Sequence, residues 1–465
     1  MPVPAEAAFE SVRQLGLGLR AKEFTSVELT EFFLQRLEKL GPTFNAVVTV
    51  ARPSALQEAA RADSELQAGK DHGPLHGIPY GAKDLLSVRG MPTTWGAAPY
   101  QERVIDEDAT VIVRLREAGA VLVAKLAMVE LAGGFGYRQA NAAFTGPGLN
   151  PWDIKTWAGG SSSGSGSAVG AGLVPFALAS ETWGSIVTPA AYCGATGLRP
   201  TYGRVSRHGA MALSWTMDKI GAICRTADDS GLVLNVLAGA DPLDPSASAR
   251  PYSYPPSTVA KPPFRFATLK AAGDKVQPEV RDNYHAALDV LKKLGTFTEI
   301  ELPDFPYSAV ASTFINCEMA AAFQGMVTTG DVWELTAPED RPGCHAALYI
   351  PAVDYINALR IRAKLQPALD ALLAKFDAIV TPAMATVSPP LDRDFREYQK
   401  GLTSGPIGGA ANVAGLPGLT IPNGLGEGGR PTALQLTGRA FEENTLIAIA
   451  AEYQSHTKWH IQKPM

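Results

Sequence analysis

Residues 159–167 read Gly-Gly-Ser-Ser-Ser-Gly-Ser-Gly-Ser, and eighteen residues further on Ser185 closes the string Glu181-Thr182-Trp183-Gly184-Ser185. A serine hydroxyl attacks a carbonyl carbon only once something removes its proton. Neighbouring glycines let backbone N–H groups approach a ligand with no side chain in the way. Serines and glycines concentrated between two apolar runs therefore point to a reaction centre built on a hydroxyl, and such a centre requires a base.

Histidine is the usual base, and the chain has seven, at positions 72, 76, 208, 285, 345, 456 and 460. None stands in a context that marks it. Lysine is the other choice. Lys83 ends the strand-like apolar run Ile78-Pro79-Tyr80-Gly81-Ala82. Burial disfavours the ammonium form, so a lysine enclosed there becomes a neutral amine able to accept a proton. The competing expectation is that Lys83 pairs with Asp84 or reaches water.

These residues need a scaffold. Thr25-Ser26-Val27-Glu28 has the spacing of a helix capping box, and Leu29, Phe32, Phe33, Leu37 and Leu40 behind it follow a helical period. Helices are expected over 53–69 and 109–118, and strands over 46–50, 78–82 and 119–124. Residues 168–179 read as a buried helix running into a strand. The Pro-rich stretch 241–263 reads as a linker or surface loop. Beyond it, 264–269, 277–294 and 296–302 form one strand–helix–strand unit. The stretch 308–372 is mostly helical, strands return near 377–381 and 431–437, and a last helix covers 442–455. This alternation predicts an α/β fold, a mixed central sheet flanked by helices on both faces. We expect one domain over 1–465: N-terminal helices to residue 70, a catalytic core over 71–240, the loop 241–263, a second βα segment with a helical substrate-side region over 264–372, and a return to the sheet over 373–465.

Composition narrows the function. A net charge of −5 with no clustered Lys/Arg run gives no footprint for nucleic acid. No stretch reaches the ~18–20 apolar residues that span a bilayer, and Met1 to Glu10 lacks the basic head and apolar run of a secretory leader. The four cysteines, spaced 31, 93 and 27 apart, fit neither a zinc pattern nor a disulfide scaffold. The expectation is a cytoplasmic protein with free thiols and no membrane partner.

Taken together, Lys83, the Gly-Ser loop and Ser185 resemble the amidase signature family. The resemblance runs along nearly the whole chain: Gly73-Pro74-Leu75-His76-Gly77-Ile78-Pro79 with Lys83-Asp84, Gly90-Met91-Pro92-Thr93-Thr94, Asn150-Pro151-Trp152, Gly159-Gly160-Ser161-Ser162, Gly184-Ser185-Ile186 with Pro189-Ala190, residues 194–204 from Gly194 to Arg204, and Ala414-Gly415-Leu416-Pro417. It implies a Ser-cisSer-Lys triad in which Ser185 is the nucleophile, Ser161 a bridging serine on a cis peptide, and Lys83 the base acting on Ser161. It further implies an oxyanion hole from the backbone N–H groups of Thr182, Trp183, Gly184 and Ser185. Losing one such donor costs about 3–4 kcal/mol of transition-state stabilisation. Gly133, Gly134, Trp183 and Val187 are expected to touch substrate. No metal or organic cofactor is implied, and the chain is expected to act as a monomer or homodimer on a small amide or carbamate.

Three departures from the family pattern matter. That pattern commonly reads Asp-Thr-Gly-Gly-Ser-Ile-Arg, where this chain has Glu181-Thr182-Trp183-Gly184-Ser185-Ile186-Val187. Trp183 replaces a glycine, so its backbone must avoid positive φ or be strained; its indole walls a pocket or belongs to the core. Val187 stands where an arginine can hold a substrate carboxylate, which argues for a neutral acyl group. Glu181 adds one methylene. Phe314, Met319, Phe323, Met326 and Tyr349 are further expected along the acyl or leaving-group side.

Other readings compete. Gly160-Ser161-Ser162-Ser163-Gly164 also satisfies the Gly-x-Ser-x-Gly elbow of α/β-hydrolases, but Lys155-Thr156-Trp157-Ala158 is a poor preceding strand. The run 164–170 misses the dinucleotide-loop spacing by one. Ser455-His456-Thr457-Lys458 fits Ser-x-x-Lys, but at the C-terminal end, where chance explains the match. Within the resembling family, a glutaminase subunit of a tRNA-dependent amidotransferase, working with partner chains, and a catalytically silent relative are the alternatives to a stand-alone amidase of neutral amides, anilides or carbamates with esterase side activity.

Overall fold

A computed structural model describes residues 3–464. Its strands are β1 (Val47–Val50), β2 (Pro79–Lys83), β3 (Val121–Leu126), β4 (Leu149–Asn150), β5 (Asp153–Trp157), β6 (Phe176–Glu181) and β7 (Thr196–Arg199). They continue with β8 (Lys219–Cys224), β9 (Phe264–Leu269), β10 (Gly295–Ile300), β11 (Ala378–Pro382), β12 (Gly418–Leu425) and β13 (Pro431–Thr437). Eleven of them form one mixed sheet in the order β1-β3-β2-β6-β8-β7-β12-β13-β11-β9-β10, and β4 and β5 make a small ribbon apart. The stretch 155–158 is thus a better strand than its sequence promises, because Trp157 and Thr156 bury their side chains.

Alternation along the strands gives the sheet two apolar faces. Phe176 and Leu178 face one core with Tyr80, Leu122 and Ile220, while Ala177 and Ala179 face the other with Val121 and Val123. Helices cover both. Ala168 and Val169 of Ser163–Gly170 and Ala190 of Val187–Cys193 pack on the second face. Leu232 and Val233 of Ala227–Leu237 and Leu446 and Ile449 of Glu443–His456 pack on the first. The helix Ser26–Phe44 starts at the expected capping box, with Thr25 Oγ1 accepting from the Glu28 backbone and the Glu28 carboxylate from that of Thr25. Residues 264–300 form the expected β-α-β unit, β9 and β10 being parallel around the helix Pro278–Leu291.

Register brings charge to one edge of the sheet. Strands β2, β3 and β6 run parallel, so Lys83 and Glu181 end at the same side. Strand β8 is antiparallel to β6 and places Lys219 opposite Glu181. Strand β7, antiparallel to β8, ends there too with Arg199. Among the described residues, no helix is long and apolar enough to cross a membrane. All four cysteines are free thiols.

Candidate active site

Lys83 sits at the C-terminal end of β2 with no solvent exposure. Its Nζ lies 2.7 Å from Ser161 Oγ and 3.0 Å from Ser180 Oγ. Burial drives the amine down to about 7, against the opposing pull of Asp218 and Glu181. A base that titrates near neutrality combines proton affinity with availability of the free amine. Asp84 does not quench it. The Asp84 carboxylate turns to Lys125 of β3, 2.7 Å away with both groups fully buried, and accepts from the Thr94 backbone and hydroxyl.

Ser161 follows Gly160 through a cis peptide bond. The next serines are tied into the scaffold: Ser162 Oγ donates to the Ser180 carbonyl and Ser165 Oγ to that of Leu178. Ser163 begins the helix that follows, its Oγ directed at the Ala127 carbonyl, and the elbow reading would need the central Ser162 as nucleophile, which is fully buried with its hydroxyl already committed.

The loop from Thr182 to Ser185 leaves β6 and enters the helix Val187–Cys193. Gly184 carries the positive φ of that loop, +88°, and Trp183 has none, which answers how an indole replaces a glycine there without strain. Among the described residues, the backbone N–H groups of Trp183, Gly184 and Ser185 donate to no protein acceptor. Ser185 is 8% exposed and its hydroxyl makes no hydrogen bond among these residues, to Ser161 or otherwise.

Glu181 anchors both ends of the loop. One carboxylate oxygen accepts from the backbone of Ile186 at 2.9 Å and Val187 at 3.1 Å. The other meets Arg199 at 2.8 Å and the Asn412 amide at 3.1 Å. Against the upward push of burial, the charges of Arg199 and Lys219 hold this carboxyl down at about 2. The extra methylene of Glu181 thus reaches a full set of partners.

Two cavities flank the loop. One, about 180 Å³, is lined by Ser180, Thr182, Ala132, Leu213, Asp218 and Lys219 among others. The second, about 200 Å³, is lined by Trp183, Gly184, Val187, Met384, Ile407 and Asn412. Trp183, 38% exposed, is a wall of that cavity and not core. Gly133 and Gly134 line neither cavity; they follow Ala132, which lines the first, and Gly134 packs beside Leu213 and Met319. The expected apolar wall from the helical region needs correction. Phe314, Met319, Phe323 and Met326 are buried in the core, and Tyr349 is 85% exposed, away from both cavities. Their helical spacing reflects ordinary helix packing.

The family model described as Amidase matches residues 28–447. The chain belongs to the amidase signature family. This amidase is 36% identical over 475 residues to a glutamyl-tRNA(Gln) amidotransferase subunit from Roseiflexus sp. (strain RS-1), with 95% of each chain covered. It superposes on the native peptide amidase of Stenotrophomonas maltophilia with a TM-score of 0.84 at 29% identity, covering 98% of both chains. The corresponding glutamyl-tRNA(Gln) amidotransferase subunit from Thermotoga maritima matches with a TM-score of 0.80 at 26% identity, over 100% of this chain and 99% of that one. The amidase is therefore a hydrolase of carbon–nitrogen bonds.

Sequence reasoning missed several groups around the loop. Ser180, the second partner of Lys83, hides in an apolar strand. Asp218, Lys219 and Asn412 belong to no motif read from the sequence, and Arg199 lies in a quoted motif without a role assigned to it. A lysine opening an otherwise apolar strand, Lys219-Ile220-Gly221-Ala222-Ile223-Cys224, was the available signal.

One further donor group lies elsewhere. Glu65 Oε2 is 3.1 Å from His72 Nε2 and 3.3 Å from His76 Nε2. The His76 Nδ1 accepts from the His72 backbone N–H at 3.1 Å, whereas its buried Nε2 makes no hydrogen bond among the described residues. These three side chains are close enough together to hold a metal ion, and none of them lines either cavity beside the loop.

Proposed function

We propose that this amidase hydrolyses the C–N bond of small neutral amides or carbamates through an acyl-enzyme on Ser185. The observation that carries the reading is the buried Lys83 amine, 2.7 Å from Ser161 Oγ and poised near neutrality. Ser185 attacks the carbonyl carbon as its proton passes to Ser161 and the Ser161 proton to Lys83. The free N–H groups of residues 183–185 receive the developing oxyanion. Collapse returns the proton along the same path to the leaving nitrogen. Water then repeats the sequence on the ester and releases the acid. The Ser185-to-Ser161 link is open in the free protein, and such links commonly tighten only with substrate in place.

The walls of the second cavity support a neutral substrate group there. In the cavity beside Val187 the charged groups are Glu181 and Arg199, and they pair with each other. No cation is left over there for a substrate carboxylate. An apolar cavity of about 150 Å³ holds a benzene ring, so the second cavity has room for a small aliphatic or aryl group, whereas the first also carries Arg207, Asp218, Lys219 and Asp244 on its walls.

A second reading is a glutaminase role inside a tRNA-dependent amidotransferase. The full-length identity to amidotransferase relatives favours it over the stand-alone reading as far as sequence similarity goes. Glutamine, however, brings an ammonium and a carboxylate that need ionic partners beside the reacting carbonyl. Purified chain, without partners, should be given p-nitroanilides, aryl carbamates and glutamine, with mass analysis of the Ser185 peptide. Acylation and turnover of the neutral substrates support the first reading. Glutamine turnover alone, or acylation that begins only when amidotransferase partner chains are added, supports the second, and no acylation of Ser185 by any substrate with or without those chains overturns both.

A further inference from the structure

Lys219 is a second lysine at the reacting edge, 2% exposed, at the start of β8. Its surroundings are unusual for a buried cation. Among the described residues it makes no salt bridge; its Nζ donates to two neutral acceptors, Asn412 Oδ1 at 2.9 Å and the Thr182 carbonyl at 3.4 Å. Replacing a buried charge by an apolar group of similar volume is often neutral or stabilising. Packing alone therefore gives little reason for a lysine there, and its two acceptors indicate what it does.

The Thr182 carbonyl belongs to the peptide whose N–H is that of Trp183, one of the free donors of the loop. A cation on the carbonyl oxygen draws electron density from the amide, so the N–H at its other end becomes a stronger donor. The same contact keeps the carbonyl dipole directed away from the place where negative charge would build. Asp218, the preceding residue, takes the Thr182 hydroxyl at 2.5 Å. Two consecutive residues thus hold the hydroxyl and the carbonyl of Thr182. Through Asn412, whose amide donates to Glu181, Lys219 also reaches the carboxylate that fixes the Ile186 and Val187 N–H groups. One ammonium group therefore braces the loop at its entry and, by one intermediary, at its exit.

We propose that Lys219 is a positioning residue for the oxyanion-binding loop, acting through the Thr182–Trp183 peptide and through Asn412. This rests on the reading of Ser185 as nucleophile. It adds a specific partition: Lys219 stabilises the transition state and leaves ground-state binding nearly untouched. The charged groups facing it are Glu181 from β6, Arg199 from β7, Arg362 from the helix Ala352–Leu373, and Asp218 beside it.

The test uses the full chain with Lys219→Met, which keeps the stem volume, and Lys219→Gln, which restores a neutral donor, beside Ser185→Ala. Two readouts are taken: kcat and KM on an anilide the wild type turns over, and inhibition by an arylboronic acid, which forms a tetrahedral adduct on a nucleophilic serine. Loss of a full oxyanion donor costs roughly 10²–10³ in kcat; for Lys219→Met, which weakens one, the expected fall is about tenfold or more, with KM within about threefold. Boronate inhibition should weaken by a similar factor, and Lys219→Gln should recover several-fold in both. Lys219→Met at wild-type kcat, a loss confined to KM, or equal losses in both variants would overturn the role. Should Lys219→Met not fold, the Gln variant decides alone: a kcat and boronate affinity both at wild-type level show that the charge is not used, and a matched fall in the two supports the role. If Ser185→Ala retains activity, the underlying reading fails instead, whatever Lys219 does.

Discussion

Asp84 follows Lys83 in the chain yet directs its charge to Lys125 on the neighbouring strand, 2.7 Å away and sealed from solvent. The pairing leaves the Lys83 amine to two serine hydroxyls. Removing one partner of a buried pair leaves the other uncompensated, at a cost of about 3–5 kcal/mol. Asp84→Ala should therefore lower thermal and denaturant stability by that order while Lys83 keeps its contacts. Unfolding curves matching wild type would show that the pair contributes nothing.

Ser185→Ala should abolish turnover with the fold retained. Nucleophile removal in serine hydrolases lowers kcat by roughly 10⁴–10⁶, so any rate above about one-thousandth of wild type would argue for a different nucleophile. Circular dichroism serves as the control for folding.

The Lys83 amine is useful only when neutral. With its titration at about 7, the Lys83 contribution to kcat/KM should be low in acid, rise through pH 7 and level off above it. Lys219, also brought down to about 7 by burial first and by Arg199 next, loses charge over the same range. In the wild type that loss opposes the rise and blunts it, and Lys219→Met should show the full rise and plateau. A pH-independent rate in both proteins, or an active Lys83→Ala enzyme, would remove the lysine from the mechanism.

Val187 lines the second cavity without charge. Val187→Arg would add a cation there, and the KM for an amide with a carboxylate on its acyl chain should fall by about tenfold or more, the order of one charge-assisted hydrogen bond. A neutral anilide should lose efficiency. Unchanged preference would place the acyl group outside this cavity.

Glu181 tests the loop from the other end. Its carboxyl, held at about 2 by Arg199 and Lys219 in spite of burial, lies below its unfolded value near 4.3. The stabilisation is fully present above that unfolded value and is lost as pH falls through about 2. Glu181→Gln should shrink the acid-induced loss of stability over this window. Superimposable acid-denaturation profiles for the two proteins would contradict the assignment.

Much of this was legible in the residues. The capping box at Thr25, the β-α-β unit beyond residue 263 and the strand ending in Lys83 all follow from period and punctuation, because each is decided by neighbours close in sequence. The strand β8 was not legible: it begins with a lysine and holds Gly221, neither a strand former, and only burial between β6 and β7 makes it one. The helix Val12–Arg20 escaped too, since Gly16 and Gly18 weaken its propensity while Leu15 and Leu19 pack it to the core. In the site, Lys83, Ser161 and Ser185 stood out by local company. Their supporting groups did not, because Asn412 meets Glu181 across 231 residues and no local pattern encodes that encounter.

That separation governs when a newborn chain becomes competent. The lysine and both serines have emerged long before residue 412 is synthesised, but the wedge that steadies their loop has not. A polypeptide cleaved short of Asn412 would lack the nearer acceptor of Lys219 and one partner of Glu181 while keeping Arg199, so its loop should be braced from one side only.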